Sequence, residues 1–179
     1  CWLVINLCLI YIIGDSSISS DTMSNAQLTI GAGTTLTLNG TIILGGIVTD
    51  NGIIHVTGNS AINNAAIVGG QIIVDDGFTL TLNGTTVTDT VIADDGTIQI
   101  DVNQMRLLDG VALSGGTINN FGTLKIIGDS SISNDVLNNH QLTIDAGQTL
   151  ILSETIVTGG TVTDNGSIHV TGDSAINSA

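Results

Sequence analysis

The chain has 179 residues, with 23 glycines, no proline, 42% hydrophobic, 10% charged and 2% aromatic residues, a length that one domain with a sizeable core accommodates. The apolar residues are Ile, Leu, Val and Ala almost throughout, while Glu, Lys, Arg and Gln are scarce, so strands joined by tight turns are expected and helix is not. Two basic residues, Arg106 and Lys125, stand against 16 acidic ones for a formal net charge of −14, which excludes the clustered cations that grip nucleic acid or an anionic membrane surface.

The chain opens on an apolar stretch, Cys1 to Ile13, that is too short to span a bilayer. It lacks an initiator Met, a basic flank and an Ala-x-Ala cleavage site, so insertion of this segment in a membrane is not expected. Residues 1–12 read as an apolar N-terminal strand or cap. Its alignment with residues 115–127 keeps Asn6 opposite Asn120 and aliphatics at Val4, Ile10 and Ile12. Both cysteines, Cys1 and Cys8, lie here, so no disulfide framework spans the rest. A lipidated Cys1 and a piece cut from a longer chain are two readings of that terminus.

From residue 13 onward the chain repeats itself. Residues 13–65 align without a gap onto 127–179: Ile13-Gly-Asp-Ser-Ser-Ile-Ser19 returns as Ile127-Gly-Asp-Ser-Ser-Ile-Ser133, an offset of 114. A shorter echo relates Leu36-Thr-Leu-Asn-Gly-Thr41 to Leu80-Thr-Leu-Asn-Gly-Thr85 at an offset of 44. Residues 13–179 are therefore read as one repeat domain. An aliphatic–variable–aliphatic triplet marks the strands, ending in turn at Ile12, Leu38, Val56, Leu82, Ile100, Ile126, Leu152 and Val170. The sixteen flanking positions are all aliphatic, and the residue between them is mostly polar, as in Thr37, His55, Gln99 and Lys125. Period-2 alternation sends the first set inward and the second to solvent. The triplets are unevenly spaced, with a short step as from Leu38 to Val56 and a long one as from Val56 to Leu82. The expected fold is all-β, a parallel β-helix (β-solenoid) of about 7–8 coils of about 18–26 residues. A β-roll or sandwich is the alternative, since short turns also close antiparallel hairpins. Further triplets at Leu28/Ile30, Ile72/Val74 and Leu142/Ile144 leave the coil boundaries open.

Asp/Asn/Gly turns precede the triplets. In one position, six residues before each triplet ends, stand Asp50, Asp76, Asp94, Asn120 and Asp164, with Asp75, Asp95 and Asp145 alongside. If these form one column on stacked coils, carboxylates about 5 Å apart would repel or share a cation. Two readings are open: plain turn chemistry with no cofactor, or a weak Ca²⁺ site of the extracellular kind on Asp50, Asp75, Asp76, Asp94, Asp95, Asp145 and Asp164. The Gly-Gly-x-Gly-x-Asp roll motif is absent.

These residues resemble the strand-repeat passengers of bacterial autotransporters and filamentous-haemagglutinin-like surface adhesins. The carriers are Gly122-Thr-Leu-Lys-Ile126, Thr79-Leu-Thr-Leu-Asn-Gly-Thr85 and Gly115-Gly-Thr-Ile-Asn-Asn120, and the resemblance covers about residues 8–179. It implies a secreted or cell-surface protein of bacteria, a structural or adhesive segment whose partners are a host-surface or matrix glycan or protein, with further repeats of the same chain at its ends. An open terminal coil predicts self-association or fraying after about residue 160.

Catalysis is not expected. β-Helical lyases and glycosidases need Arg, Lys or paired carboxylates in an aromatic groove, and one Arg, one Lys, one Trp, one Tyr and two Phe do not furnish them. An ice-binding Thr-x-Thr array is broken after Thr35/Thr37 and Thr79/Thr81 by Ile53/His55 and Ser167/His169. A Ca²⁺-stabilised carbohydrate-binding solenoid is the remaining alternative. His55 and His169 are expected to lie about 24 Å apart along the axis, five coils, too far to share a metal, and His140 has no evident partner. Arg106 falls where an inward aliphatic belongs, which predicts either a distorted coil over residues 101–114 or a pair with Asp101 or Asp109.

Overall fold

In the computed structural model the backbone of residues 3–5 and all of residues 9–179 are described. The reading of residues 1–12 as a cap lies partly outside the described residues. Within them the strands Leu3–Ile5 and Leu9–Ile12 pair with Thr22–Ser24 and Gln27–Ile30.

The described chain is strand and turn, with no helix. It coils into a solenoid with three faces. In each coil the chain runs along a first face, bends onto a second, bends onto a third and returns one level higher. The coil beginning at Ile42 shows the plan: Ile42–Leu44 on the first face, Ile47–Asp50 on the second, Ile53–Val56 on the third. Every pairing is parallel, which no hairpin roll or sandwich gives. The third face carries nine strands, from Ser16–Ser19 to Ser167–Thr171, so the described molecule has nine coils.

The registers correct the coil length. On the third face Leu36 pairs with Ile54, Ile54 with Ile72, Ile72 with Ile92, and Ile92 with Leu113. One coil therefore takes about 20 residues, at the short end of the range for solenoid repeats. The triplets do not form one column. Ile12 and Ile126 lie on the second face, Leu38, Val56, Leu152 and Val170 on the third, and Leu82 and Ile100 on the first. The short step, as from Leu38 to Val56, climbs one coil on one face. The long step, as from Val56 to Leu82, climbs one coil to Val74 and then turns one corner. The shorter echo is two coils and one corner: Leu36 stacks through Ile54 to Ile72, and Leu80 follows around the bend. Seven or eight long coils thus become nine short ones.

The interior is one continuous aliphatic cluster from Met23 to Val157. Strand alternation is clean, as in Thr97–Ile100, where Ile98 and Ile100 are buried and Thr97 and Gln99 are not. Twelve of the sixteen triplet aliphatics are buried, while Ile10, Ile12 and Ile168 in the end coils are partly covered and Val170 is half exposed. Each buried Leu or Ile contributes about 1.5–3 kcal/mol. Arg106 keeps to this interior. Met105–Asp109 pairs without a break with Thr85–Thr88 and with residues 123–126, so the coil over 101–114 is not distorted.

At many corners a residue with positive φ precedes a buried Thr. Gly40-Thr41, Gly84-Thr85, Asp89-Thr90 and Glu154-Thr155 follow this rule, and each Thr Oγ1 donates to a carbonyl of the coil below: Ile18, Ile62, Gly69 and Ile132. The hydroxyl is satisfied without leaving the core. Inward Leu82→Asp should cost several kcal/mol in a urea melt by burying an unpaired charge, whereas outward Thr81→Asp should cost under about 0.5 kcal/mol; equal losses would contradict this assignment of inside and outside.

Candidate functional site

The chemistry-bearing side chains gather at the corners, and one corner design recurs. A four-residue turn closes with a hydrogen bond from the fourth N–H to the first C=O at Gly31–Thr34, Asp75–Phe78, Asp101–Gln104 and Asp145–Gln148. Its third residue has positive φ in each case, 73°, 79°, 60° and 79°, as a type II turn requires. In the next coil an Asx-x-Gly corner sits on that turn. Asp50, Asp94, Asn120 and Asp164 each accept through Oδ1 from the N–H two residues on, at Gly52, Gly96, Gly122 and Gly166, over 2.9–3.2 Å. Gly is required there because a Cβ on Gly52 would run into the carbonyls of Thr34 and Gly31, and one on Gly96 into those of Phe78 and Asp75.

The structure therefore separates the expected carboxylate column. Asp50 and Asp164 close second-to-third corners, Asp94 a third-to-first corner, and Asn120 a first-to-second corner. Asp75, Asp76 and Asp145 belong to the turns underneath, and Asp76 and Asp95 face solvent. Among the described residues no three of His, Cys, Asp and Glu come together, and the seven aspartates are spread over different corners.

Two cross-coil ion pairs were not visible in the sequence. His55 Nε2 lies 2.7 Å from Asp75 Oδ1, and Lys125 Nζ lies 3.0 Å from Asp145 Oδ2. Each joins the middle residue of a triplet to an aspartate at the end of the strand stacked one coil above, a pairing recognisable only once the coil period is known. Both pairs are partly exposed and contribute little stability. His55 and His169 share the third face six coils apart, about 29 Å rather than 24 Å, and His169 is exposed.

Among the described residues four charged side chains are buried instead. Asp50 and Asp94 are each 1% exposed, and their Oδ2 atoms have no partner. Asp135, 2% exposed, has a partner on neither oxygen. Burial pushes Asp50 up to about 6, Asp94 to about 7 with help from Asp95, and Asp135 to about 8 with help from Asp94. Arg106, 1% exposed, leaves Nη1 and Nη2 unpaired, and burial lowers it to about 9. Neither expected partner takes it up: the oxygens of Asp101 accept from Gln99 and Asn83.

No protein-family model matches the chain, and no curated protein matches it. Among solved structures it is similar to a TibC-catalysed hyper-glycosylated TibA fragment, at 13% identity over 98% of this chain and 100% of that one, with a TM-score of 0.22. That likeness is too slight to relate the two coil by coil.

Two outcomes follow from the buried charges. Carboxyls raised above their ordinary 3.8 keep protons in the folded state that the unfolded chain releases, so with chelator present stability should fall as pH rises from about 4 to about 8 and then level off. A melting temperature that climbs over that range would contradict their burial. Arg106→Leu matches Leu124, its neighbour in the ladder, and should raise stability by about 1–4 kcal/mol in urea melts; a loss would mean that the guanidinium has a partner.

Proposed function

We propose that the chain is a structural and adhesive repeat segment of a bacterial cell-surface or secreted protein, a rigid stalk without catalysis. The observation that carries this reading is the relation between the repeat and the coil. Six steps up the third face lead from Ser17 to Ser133. The sequence repeat matches Ser17 to Ser131, on the same strand. A repeat mate therefore returns to its own face and its own side of the strand, six coils and about 29 Å further along, displaced by two residues. Repetition lengthens such a rod while presenting the same outer pattern in nearly the same direction.

The surface supports a binding role more than a reactive one. Its polar groups are dispersed Thr, Asn and Asp, and of its two basic residues Arg106 is buried while Lys125 is partly exposed and paired with Asp145. The partner in this reading is a host-surface or matrix glycan or protein, and the acidic surface keeps a long assembly soluble. The sequence resemblance to autotransporter passengers and filamentous-haemagglutinin-like adhesins agrees with a surface location.

Display of the chain on a non-adherent bacterium tests the proposal. Cells carrying it should gain attachment to immobilised matrix proteins or glycans, and the soluble chain should compete that attachment away. Attachment equal to that of bare cells, at confirmed surface levels, would remove the adhesive half of the proposal.

A further inference from the structure

Four inward Asx residues at the corners, Asn25, Asp50, Asp94 and Asn139, share a roof. Above each, the next coil passes with a Gly-Gly pair: Gly45-Gly46 over Asn25, Gly69-Gly70 over Asp50, Gly115-Gly116 over Asp94, and Gly159-Gly160 over Asn139. The close fit requires them. A Cβ on Gly70 would strike the Asp50 carboxylate, and one on Gly116 would lie 2.9 Å from Asp94 Cγ. Where the residue is Asn the roof is satisfied, because Asn25 Nδ2 donates to Gly45 and Ile47 carbonyls and Asn139 Nδ2 to those of Gly159 and Thr161. Asp50 and Asp94 offer a bare Oδ2 instead.

What stands above the roof then distinguishes the corners. Over Gly46 it is Ala65, and over Gly70 it is Thr90, whose hydroxyl donates to the carbonyls of Gly69 and Thr88. Over Gly116 it is Asp135, the residue before Val136, whose N–H donates to Gly116. Asp135 occupies the slot that Thr155 fills in the next coil, after an Asn134 of positive φ. Two carboxylates thus flank a layer that has no side chain, with three buried oxygens that accept no well-formed hydrogen bond; the backbone N–H groups of Ile98 and Thr117 also lie near the Asp94 carboxylate, and the Asp94 main-chain oxygen faces the same glycines.

We propose that Asp94 and Asp135 bind one divalent cation, with the hard-oxygen chemistry of Ca²⁺, across the Gly115-Gly116 layer. Levels two coils apart are separated by about 9.6 Å. Oxygens on opposite sides of a Ca²⁺ are separated by about 4.6–5.2 Å, so each carboxylate need lean only about 2.4 Å along the axis. A divalent ion neutralises the pair, whereas a monovalent one would leave a net charge in an apolar interior. The site differs from the separated surface aspartates because its two acids are buried and belong to coils two apart.

Thermal melts of the whole chain at pH 8 test it, in chelator and then with Ca²⁺, against Mg²⁺ and NaCl at matched ionic strength. The melting temperature of the wild type should rise saturably by several degrees with Ca²⁺. Asp135→Thr, which installs the residue used at this slot in the next coil, should melt higher than wild type in chelator and not respond. Asp94→Asn, copying Asn25 and Asn139, serves as a second variant and should lose the response too. A wild type insensitive to Ca²⁺ and stabilised only by acid would overturn the proposal in favour of a shared proton. Equal Ca²⁺ responses in wild type and both variants would overturn it in favour of surface carboxylates.

Discussion

Parallel strands stack about 4.8 Å apart, and in this chain that spacing governs each corner as well as each face. A corner must turn the chain while its backbone lies directly on the corner below. No room remains for a side chain between the Asx-x-Gly bend and the turn beneath it, which is why Gly52, Gly96, Gly122 and Gly166 all lie against main-chain carbonyls. The same limit places Gly-Gly pairs over Asn25, Asp50, Asp94 and Asn139. The strands between corners are short in most coils, as in Ile42–Leu44 and Thr35–Asn39, and the aliphatic ladders they carry inward hold the stack together.

Corner design and coil length are linked. A turn with its overlying Asx-x-Gly bend occupies two successive coils, and the next such pair begins one face further round. The shorter echo thus visits the three faces in rotation, and the long repeat restores the starting face after six coils. A stalk built this way carries its corners in all three directions, so no single edge concentrates the backbone irregularities. The buried aspartates are dispersed by the same rotation, and among the described residues Asp94 and Asp135 are the two buried ones that share a corner two coils apart.

The inward and outward sense of nearly every strand was legible in the sequence, because period-2 alternation is local and survives any error in coil length. Leu36, Ile54, Leu80 and Ile98 are buried as the triplets imply. Coil length was not legible from the triplets, because they mark the bend rather than the face, and their short and long steps mix one coil with one coil and a corner. The carboxylate column failed for that reason. The additional triplets at Leu28/Ile30 and Ile72/Val74 were the available clue, since they are the strands leading into the turns. Asp135 gave no signal of its own: outside a known register Asn134-Asp135 is one of several adjacent Asn/Asp pairs, such as Asp50-Asn51, Asn63-Asn64 and Asp75-Asp76, and only the Thr of equivalent corners shows what it replaces. Arg106 was correctly read as occupying an inward position, and its lack of partners needed coordinates.

The coil period is the claim on which the rest depends, and one distance measures it. Spin labels on cysteines replacing Ser17 and Ser133, both on the third face and joined by six register steps, should lie about 29 Å apart in a narrow distribution. Longer coils, as the triplet spacing alone implies, would put the same pair five levels apart, and a distance near about 24 Å or a broad spread would contradict the three-faced, nine-coil solenoid.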